Sequence, residues 1–410
     1  MSRLARLSII LSALAVASAC TDRTPGPTGL GITASRNGAP FSAGLASPAW
    51  QAMAFAQVPR PPALNALSAA RAYALLGVAQ YLGVQRADMA VGDGDNDGGR
   101  TQLEAERGAV AGASAVVLTY LFPGAAQAFE DLVTTQASAG PGQPHPWFGR
   151  GEAIGREVGA AIVTRGQDDG FNTFANPAPP TGPGYWTSVT PTTPVIGGQM
   201  PGVTPWFLTS ASQFRPGPPP AFGSDAFNAA LTEVRNLSNS RTPEQVRLAS
   251  AWAGNPGTIT PPGIWLQVGT DDITARGLSE REATHLYALL SATMLDALIG
   301  CWDAKQTYWL IRPWQADVGV ATLAAVGRPN HPSYPSGHSC LSASGAEVLS
   351  TFFPEDRDRL SAMVIEAGLS RMWAGIHYGF DISSGQELGR DVAHFAIAAD
   401  ASGNSLLTPR

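Results

Sequence analysis

The stretch Cys301–Trp314, CWDAKQTYWLIRPW, decides the fold because it closes a long apolar segment of helical spacing and carries unusual charges. Lys305 is the only lysine among 410 residues; the remaining 25 of the 26 Lys and Arg residues are arginine. Four residues of the stretch are spaced three, four and three apart: Trp302, Lys305, Trp309 and Arg312. We expect them on one face of a helix that ends just before Pro313. Two indoles favour burial, so this face would carry two cations into the interior, where they need an anion.

A second segment, HPSYPSGHSC (His331–Cys340), predicts a turn followed by a helix. Its Ser336 hydroxyl and the backbone N–H groups of Gly337 and His338 would lie at the N-terminus of that helix, a position that favours anions. His338 adds a group that can exchange protons near neutral pH. The segment therefore predicts an anion site beside an acid/base residue.

The third segment, SRMWAGIHYGFD (Ser370–Asp381), supplies another cation and a histidine–carboxylate pair. Arg371 is the cation, and His377 and Asp381 are four residues apart, so the carboxylate can hold one imidazole nitrogen and leave the other basic. Each segment alone is ordinary. Together they predict a site in which three cations, an N-terminal helix turn and two histidines hold a tetrahedral oxyanion.

These three segments resemble the signature Lys-x6-Arg-Pro, Pro-Ser-Gly-His and Ser-Arg-x5-His-x3-Asp, which vanadium-dependent haloperoxidases share with type 2 phosphatidic-acid-phosphatase-like acid phosphatases. The resemblance implies a set of ligands for the equatorial oxygens of vanadate or phosphate: Lys305, Arg312, Ser336, Gly337 and Arg371. It also implies that His377 bonds vanadium or is phosphorylated, with Asp381 behind it, and that His338 is the acid/base. The implied fold is mainly α-helical, with two four-helix bundles and long Pro/Gly-rich loops.

Three features favour a haloperoxidase that uses vanadate, hydrogen peroxide and a halide, bromide or iodide in particular. The chain carries an export signal, Trp302 stands three residues before Lys305, and His331 stands seven before His338 as in bromoperoxidases; the last two are implied halide-pocket residues. Lys305 would donate a hydrogen bond to bound peroxide. Asn255 stands where chloroperoxidase-like members carry an aspartate, and an amide cannot stabilise a cationic histidine as a carboxylate does. The alternatives are an exported phosphomonoesterase and a non-catalytic surface lipoprotein that binds oxyanions.

Apolar spacing along the chain indicates helices, because few segments alternate with period two. The predicted helices cover residues 61–90, 102–135 with a break at Pro123, 152–165, 224–236, 242–253, 274–311, 339–352, 356–370 and 382–399. Residues 168–223 are rich in Pro, Gly and aromatic side chains, which indicates a long connection ordered against the body of the protein. The organic acceptor of a haloperoxidase is left open, and the resemblance allows a homo-oligomer.

The N-terminus has the pattern of an export signal. Arg3 and Arg6 precede an apolar run too short to span a bilayer, and ASA at 17–19 is a small-residue cleavage site. We expect a signal peptide at 1–19, a flexible Pro/Gly-rich tether at 20–48 and one helical domain at 49–410. Cys20 allows either lipidation or plain cleavage, and either places the protein in the periplasm or at the cell surface. A net charge of −6 argues against nucleic acid as a partner.

Two further patterns allow more than one interpretation. DGDNDGGRTQLE matches a calcium-binding loop at Asp93, Asp95, Asp97 and Glu104, but Arg100 replaces an apolar residue, so a solvated linker is the simpler interpretation. Cys301 and Cys340 flank the predicted site, either as a disulfide or as two buried thiols.

Overall fold

Helices dominate the part of the chain that the computed structural model describes, residues 44–92, 99–139 and 145–408. These ranges contain thirteen α-helices and, apart from two isolated bridges, no strand. The mainly α-helical class predicted from the spacing is confirmed. The helices are α1 (Ser47–Gln57), α2 (Ala66–Val91), α3 (Arg100–Leu121), α4 (Ala126–Ala137), α5 (Pro146–Asp168), α6 (Asp225–Asn239), α7 (Pro243–Ala251), α8 (Thr260–Arg276), α9 (Glu280–Tyr308), α10 (Pro313–Ala316), α11 (Gly337–Phe352), α12 (Arg357–Trp373) and α13 (Gly379–Ala401).

The helix α9 is shared by two groups of helices. It packs against α2, which also contacts α3 and α5. It packs as well against α11 and α13, and α12 contacts α11. Within the described ranges, α9 is the one helix long and apolar enough to cross a membrane, but 94% of its most apolar window is buried inside the protein. A helix that is apolar on all sides is the expected centre of such an arrangement.

The closest helix contact, between α3 and α5, depends on glycine. A Cβ added at Gly108 would collide with the carbonyl of Phe148, and one at Gly155 would collide with the carbonyl of Ala109. The backbones of the two helices therefore touch, and any larger side chain at these positions would push them apart.

The predicted helix at 274–311 is wrong at both ends. Gly277 adopts a left-handed conformation that ends α8, and Ser279 begins α9 with a capping box to Glu282. At the other end α9 stops at Tyr308, because Trp309 is also left-handed (φ 50°). The helices α1 and α8 and the four-residue α10 were not predicted from the sequence, and the described chain is already helical at Ser47, two residues before the predicted domain boundary.

The long connection between α5 and α6 is held by a buried carboxylate on α9. Asp296 accepts hydrogen bonds from the backbone N–H groups of Trp206, Phe207 and Leu208 at 2.8, 2.7 and 3.1 Å. These three backbone N–H groups belong to an irregular segment and have no partner within a helix, so the Asp296 carboxylate supplies the acceptors that they need. This segment also reaches the site, since the carbonyl of Ile196 accepts a hydrogen bond from Trp302 Nε1 at 2.9 Å.

Candidate active site

The three segments singled out in the sequence meet at one end of α9. Lys305 lies in its last turn, and Arg312 follows in an extended segment before α10. The turn at 331–336 leads into α11, and the loop after α12 leads through His377 into α13. The prediction that Lys305, Trp309 and Arg312 share a helical face is wrong, because the helix ends at Tyr308. The Trp309 N–H still donates to the Lys305 carbonyl, but the Trp309 carbonyl accepts from the Trp186 N–H at 2.7 Å.

The ammonium group of Lys305 is enclosed by backbone carbonyls. It donates hydrogen bonds to the carbonyl oxygens of Pro332 (2.9 Å), Ser333 (2.8 Å) and Pro335 (2.5 Å), and the side chain is fully buried. Three acceptors converging on one atom suit a tetrahedral ammonium with three donors and do not suit a planar guanidinium. This arrangement gives a physical reason for a lysine at position 305. It also holds the ammonium group by three hydrogen bonds, which the sequence did not predict.

Two arginines complete the set of buried cations. Arg312 donates to the carbonyls of His331 (2.9 Å) and Ile376 (2.6 Å), and its NH1 lies 3.0 Å from Nε2 of His377. Arg371 donates to the Ser370 hydroxyl and to the Ala249 carbonyl, both at 2.8 Å. Neither arginine forms an ion pair within the described residues, so both charges are held by neutral acceptors alone.

His377 is oriented by a carboxylate, as its spacing to Asp381 predicts. Its Nδ1 lies 2.7 Å from Oδ2 of Asp381, and the same oxygen accepts from the Ser333 hydroxyl (2.5 Å) and the Tyr378 N–H (3.2 Å). An acceptor at Nδ1 places the proton there and leaves Nε2 with its lone pair. Ser333 is a member of the site that the sequence analysis did not single out.

The turn at 331–338 presents the N-terminus of α11, with Ser336 as its N-cap. The Ser336 hydroxyl accepts from the Ser339 N–H at 3.4 Å, and a Cβ at Gly337 would lie 3.2 Å from the Trp302 ring, so a larger residue would require that ring to shift by a few tenths of an ångström. His338 is bonded through Nε2 to the carbonyl of Trp252 at 2.8 Å. Asn255 also lines this region, but its amide donates to the carbonyl of Ala325 at 2.7 Å and, within the described residues, not to His338.

These groups surround a cavity of about 120 Å³. Of the residues predicted for the site, six line it: Trp302, His331, Gly337, His338, Arg371 and His377. The remaining four, Lys305, Arg312, Ser336 and Asp381, are fully buried behind this lining. The Trp302 and His331 rings lie side by side with centroids 5.0 Å apart, so the two residues predicted for a halide pocket are in contact.

Burial without ionic partners shifts the titration of the whole site. Desolvation lowers the pKa of Lys305 to about 8, of Arg371 to about 9 and of Arg312 to about 10. Desolvation, reinforced by the neighbouring cations, also lowers the pKa of His377 and His338 well below the ordinary value, so both imidazoles are neutral. The one carboxylate, Asp381, has its pKa raised to about 6 by desolvation. A site with three cations and one carboxylate favours an anion.

The other two predicted features are resolved only in part. Asp93, Asp95 and Asp97 lie outside the described residues, and Glu104 is bonded to Arg100 (3.0 Å) and His145 (2.8 Å). Cys301 and Cys340 are buried free thiols, and Cys301 donates to the carbonyl of Pro335 at 3.7 Å.

Comparisons with solved structures agree with this fold. The fold is similar to the crystal structure of the first bacterial vanadium-dependent iodoperoxidase, with a TM-score of 0.71 and 23% identity over 86% of this chain and 96% of that one. It is also similar to a bacterial vanadium-dependent chloroperoxidase in its holo form, with a TM-score of 0.63 and 13% identity over 83% and 94% of the two chains. The chain therefore has the all-helical haloperoxidase fold.

Sequence comparison identifies the family. Residues 283–400 match the PAP2 superfamily. A non-specific acid phosphatase of Providencia stuartii is 30% identical over 188 residues, which make up 44% of this chain and 70% of that protein. The chain belongs to the PAP2 superfamily.

Proposed function

We propose that the protein is a vanadate-dependent haloperoxidase that oxidises bromide or iodide with hydrogen peroxide. The observation that carries the proposal is the set of three buried cations and one basic imidazole nitrogen around a cavity of about 120 Å³. Sites for organic ligands usually measure about 300–1,000 Å³. The cavity suits an inorganic oxyanion and a small co-substrate better than a bulky organic ester.

The residues present fit vanadate. Nε2 of His377 carries a lone pair because Asp381 holds the proton on Nδ1, and a metal-bonding histidine needs this arrangement. The oxyanion charge would be balanced by Arg371 at the cavity wall and by Lys305 and Arg312 behind it, with the Gly337 N–H at the start of α11. Bound vanadate would supply a Lewis acid that activates peroxide.

In this reaction His338 would accept one proton, while Arg312 and Lys305 would keep theirs and contribute positive charge. His338 donates from Nε2 to a carbonyl, so its Nδ1 is the nitrogen free to take a proton from hydrogen peroxide. Arg312 would exchange its 3.0 Å contact with His377 Nε2 for the oxyanion. Lys305 would contribute charge from its carbonyl enclosure, and one of its three hydrogen bonds would have to be given up for it to donate directly to peroxide.

Trp302 and His331 form the wall where a halide would approach. Their rings are in contact, and the Trp302 indole N–H is already bonded to the Ile196 carbonyl, so the ring is fixed in position. A large polarisable halide is bound well by aromatic edges and poorly by a strongly hydrated surface. This wall supports bromide or iodide as the substrate.

A phosphomonoesterase is the second candidate, and the identity to a non-specific acid phosphatase favours it. In that reaction Nε2 of His377 would attack phosphorus and His338 would protonate the leaving alcohol. A neutral His338 with a bare Nδ1 has no proton to give on the cavity side, which makes this the weaker proposal.

The test divides one preparation between two assays. Orthovanadate, peroxide and bromide or iodide should give vanadate-dependent halogenation of a dye, while p-nitrophenyl phosphate without vanadate should be hydrolysed slowly or not at all. His377→Ala should abolish halogenation. A matched control is His285→Ala, because His285 is also paired with a carboxylate, Asp400 at 2.7 Å, away from the cavity. Phosphate hydrolysis without any halogenation would refute the haloperoxidase.

The same proposal concerns where the reaction occurs. The N-terminal leader and Cys20 lie outside the described residues, so export, with or without a lipid anchor, stays a prediction from the sequence. Fractionation of the source cells with detection of the processed N-terminus tests it. An unprocessed protein found with the soluble interior of the cell would contradict it.

A further inference from the structure

The acid/base histidine is held by the end of a short helix. The carbonyl of Trp252, the residue that follows α7, accepts from Nε2 of His338 at 2.8 Å, and the carbonyl of Ala249 in the last turn of α7 accepts from Arg371 at 2.8 Å. One helix end thus orients both the acid/base residue and one of the cations. The exposed carbonyls at a helix C-terminus carry partial negative charge, which suits both donors.

A carbonyl differs from a carboxylate in what it does to the imidazole. It can only accept, so Nε2 of His338 must carry the proton and Nδ1 must be bare while the ring is neutral. It carries no full charge, so it stabilises the imidazolium less than a carboxylate would. The arrangement fixes one tautomer and keeps His338 a base.

The carbonyl is itself held in place by the side chain of the same residue. The Trp252 indole is buried, with 1% of its surface exposed, and its Nε1 donates to Oε1 of Glu366 on α12 at 2.7 Å. The ring also packs against Trp265, with centroids 6.2 Å apart. The position of the carbonyl therefore depends on a polar contact between α7 and α12.

We propose that Trp252 and Glu366 are positioning residues that select the Nε2–H tautomer of His338 and aim its Nδ1 at the cavity. The inference rests on the proposed function at one point, namely that Nδ1 of His338 accepts a proton from hydrogen peroxide. The tautomer itself is a property of the protein without vanadate, and it can be measured there.

The test uses three variants of the full chain. Trp252→Phe removes the indole N–H, Glu366→Leu removes its acceptor, and Glu366→Gln retains an oxygen that can accept the same bond. A matched control is Trp50→Phe, because Trp50 is also fully buried and donates from Nε1 to a side chain, Gln136 at 2.9 Å, far from the site. The two Glu366 variants separate the hydrogen bond from the packing of the helices.

The first measurement is the ¹⁵N chemical shift of the His338 ring nitrogens in vanadate-free protein, assigned with His338→Gln. Wild type, Glu366→Gln and Trp50→Phe should show the Nε2–H tautomer alone. Trp252→Phe and Glu366→Leu should show a mixture with the Nδ1–H form. An unchanged tautomer in both disruptive variants overturns the proposal, and if one variant does not fold the other decides.

The second measurement is halide oxidation by vanadate-loaded protein. The disruptive variants should lose about tenfold in kcat with little change in the KM for peroxide, within the 10–100-fold range typical of residues behind a ligand. Glu366→Gln should recover most of kcat. If no form oxidises halide but the tautomer shifts as expected, the proposed function fails and the positioning role stands; a kcat loss that Trp50→Phe shares would overturn the positioning role.

Discussion

Two buried arginines in different parts of the molecule show how differently a cation can be accommodated. Arg71 on α2 donates from Nε to Asp169 at 2.6 Å and lies 4.9 Å from the centroid of the Phe171 ring. Arg371 near the end of α12 is buried more completely, with 1% of its surface exposed against 6% for Arg71, and its two partners are a hydroxyl and a carbonyl. Only the first arginine has an anion beside it.

The titration of the two groups follows from this difference. Burial lowers the pKa of Arg71, but the hydrogen bonds and charges of Asp169 and Tyr120 outweigh it and the pKa is raised. Burial alone acts on Arg371, and its pKa falls to about 9. A folded protein that keeps three such cations near one another retains a free-energy cost that a bound anion would remove. The comparison separates a structural ion pair from a site prepared for a ligand.

The largest effect is expected where the ion pair is broken. Arg71→Met should lower the free energy of unfolding by about 3–5 kcal/mol, because Asp169 would be left buried without its partner. Urea unfolding measures it, and orthovanadate should stabilise this variant as much as wild type. The double variant Arg71→Met/Asp169→Leu should recover most of the loss. A loss below about 1 kcal/mol would mean that the pair contributes no more than a surface ion pair.

The matched substitution in the site should behave in the opposite way. Orthovanadate at 100 times its Kd should stabilise wild type by about 2.7 kcal/mol, and Arg371→Met should lose most of this gain. Without the anion, Arg371→Met should cost less than Arg71→Met, about 1–2 kcal/mol, because it leaves only neutral acceptors unpaired. Thermal unfolding with and without orthovanadate checks both. Full stabilisation of Arg371→Met would exclude this arginine from the site.

The side chains of the site could be predicted because their chemistry is carried by residue type and spacing. His377 and Asp381 are one helical turn apart, and Ser336 and Gly337 mark a helix start, so their placement follows from local geometry. The fold class follows in the same way from apolar spacing along the chain. Neither prediction needs a contact between distant segments.

The parts that could not be predicted depend on backbone atoms brought together by the fold. The three carbonyls around Lys305 and the carbonyl of Trp252 at His338 have no sequence signal, since every residue has a carbonyl. The end of α9 was misplaced because the left-handed conformation of Trp309 is stabilised by backbone bonds to a segment over a hundred residues away. A local pattern contains no information about such partners.

A third substitution tests whether the site requires the shape of the Lys305 ammonium group as well as its charge. Lys305→Arg should destabilise the protein by about 1–3 kcal/mol, because a larger planar group must fit an enclosure shaped for an ammonium. Halide oxidation should fall with it although the charge is kept. Lys305→Met is the control that removes charge without adding bulk. If Lys305→Arg is as stable and active as wild type, the carbonyl enclosure does not require a lysine.

The smallest expected effect is a dependence of stability and of anion affinity on pH. It should arise from the site cation Lys305, which has no ion-pair partner within the described residues, and not from Arg71. In the anion-free protein the pKa of Lys305, about 8, lies below its ordinary value of 10.5. Between these values the unfolded chain binds more protons, so the contribution of this group makes the free energy of unfolding rise with pH. Anion affinity should change in the opposite direction and fall as the pH rises, because a neutral lysine no longer attracts the ligand.

Tungstate is a suitable probe of that reversal, because it remains a dianion from neutral to alkaline pH. Its affinity should fall above pH 8, by at most about tenfold per pH unit for each cation that loses its proton. In Lys305→Met this fall should be largely absent, because the two arginines of the site keep their charge. Arg71→Met should follow the wild-type curve, since Arg71 remains charged in its ion pair and lies outside the site. Calorimetric titration at several pH values measures the curves, and identical curves for wild type and Lys305→Met would show that the lysine charge does not contribute to anion binding.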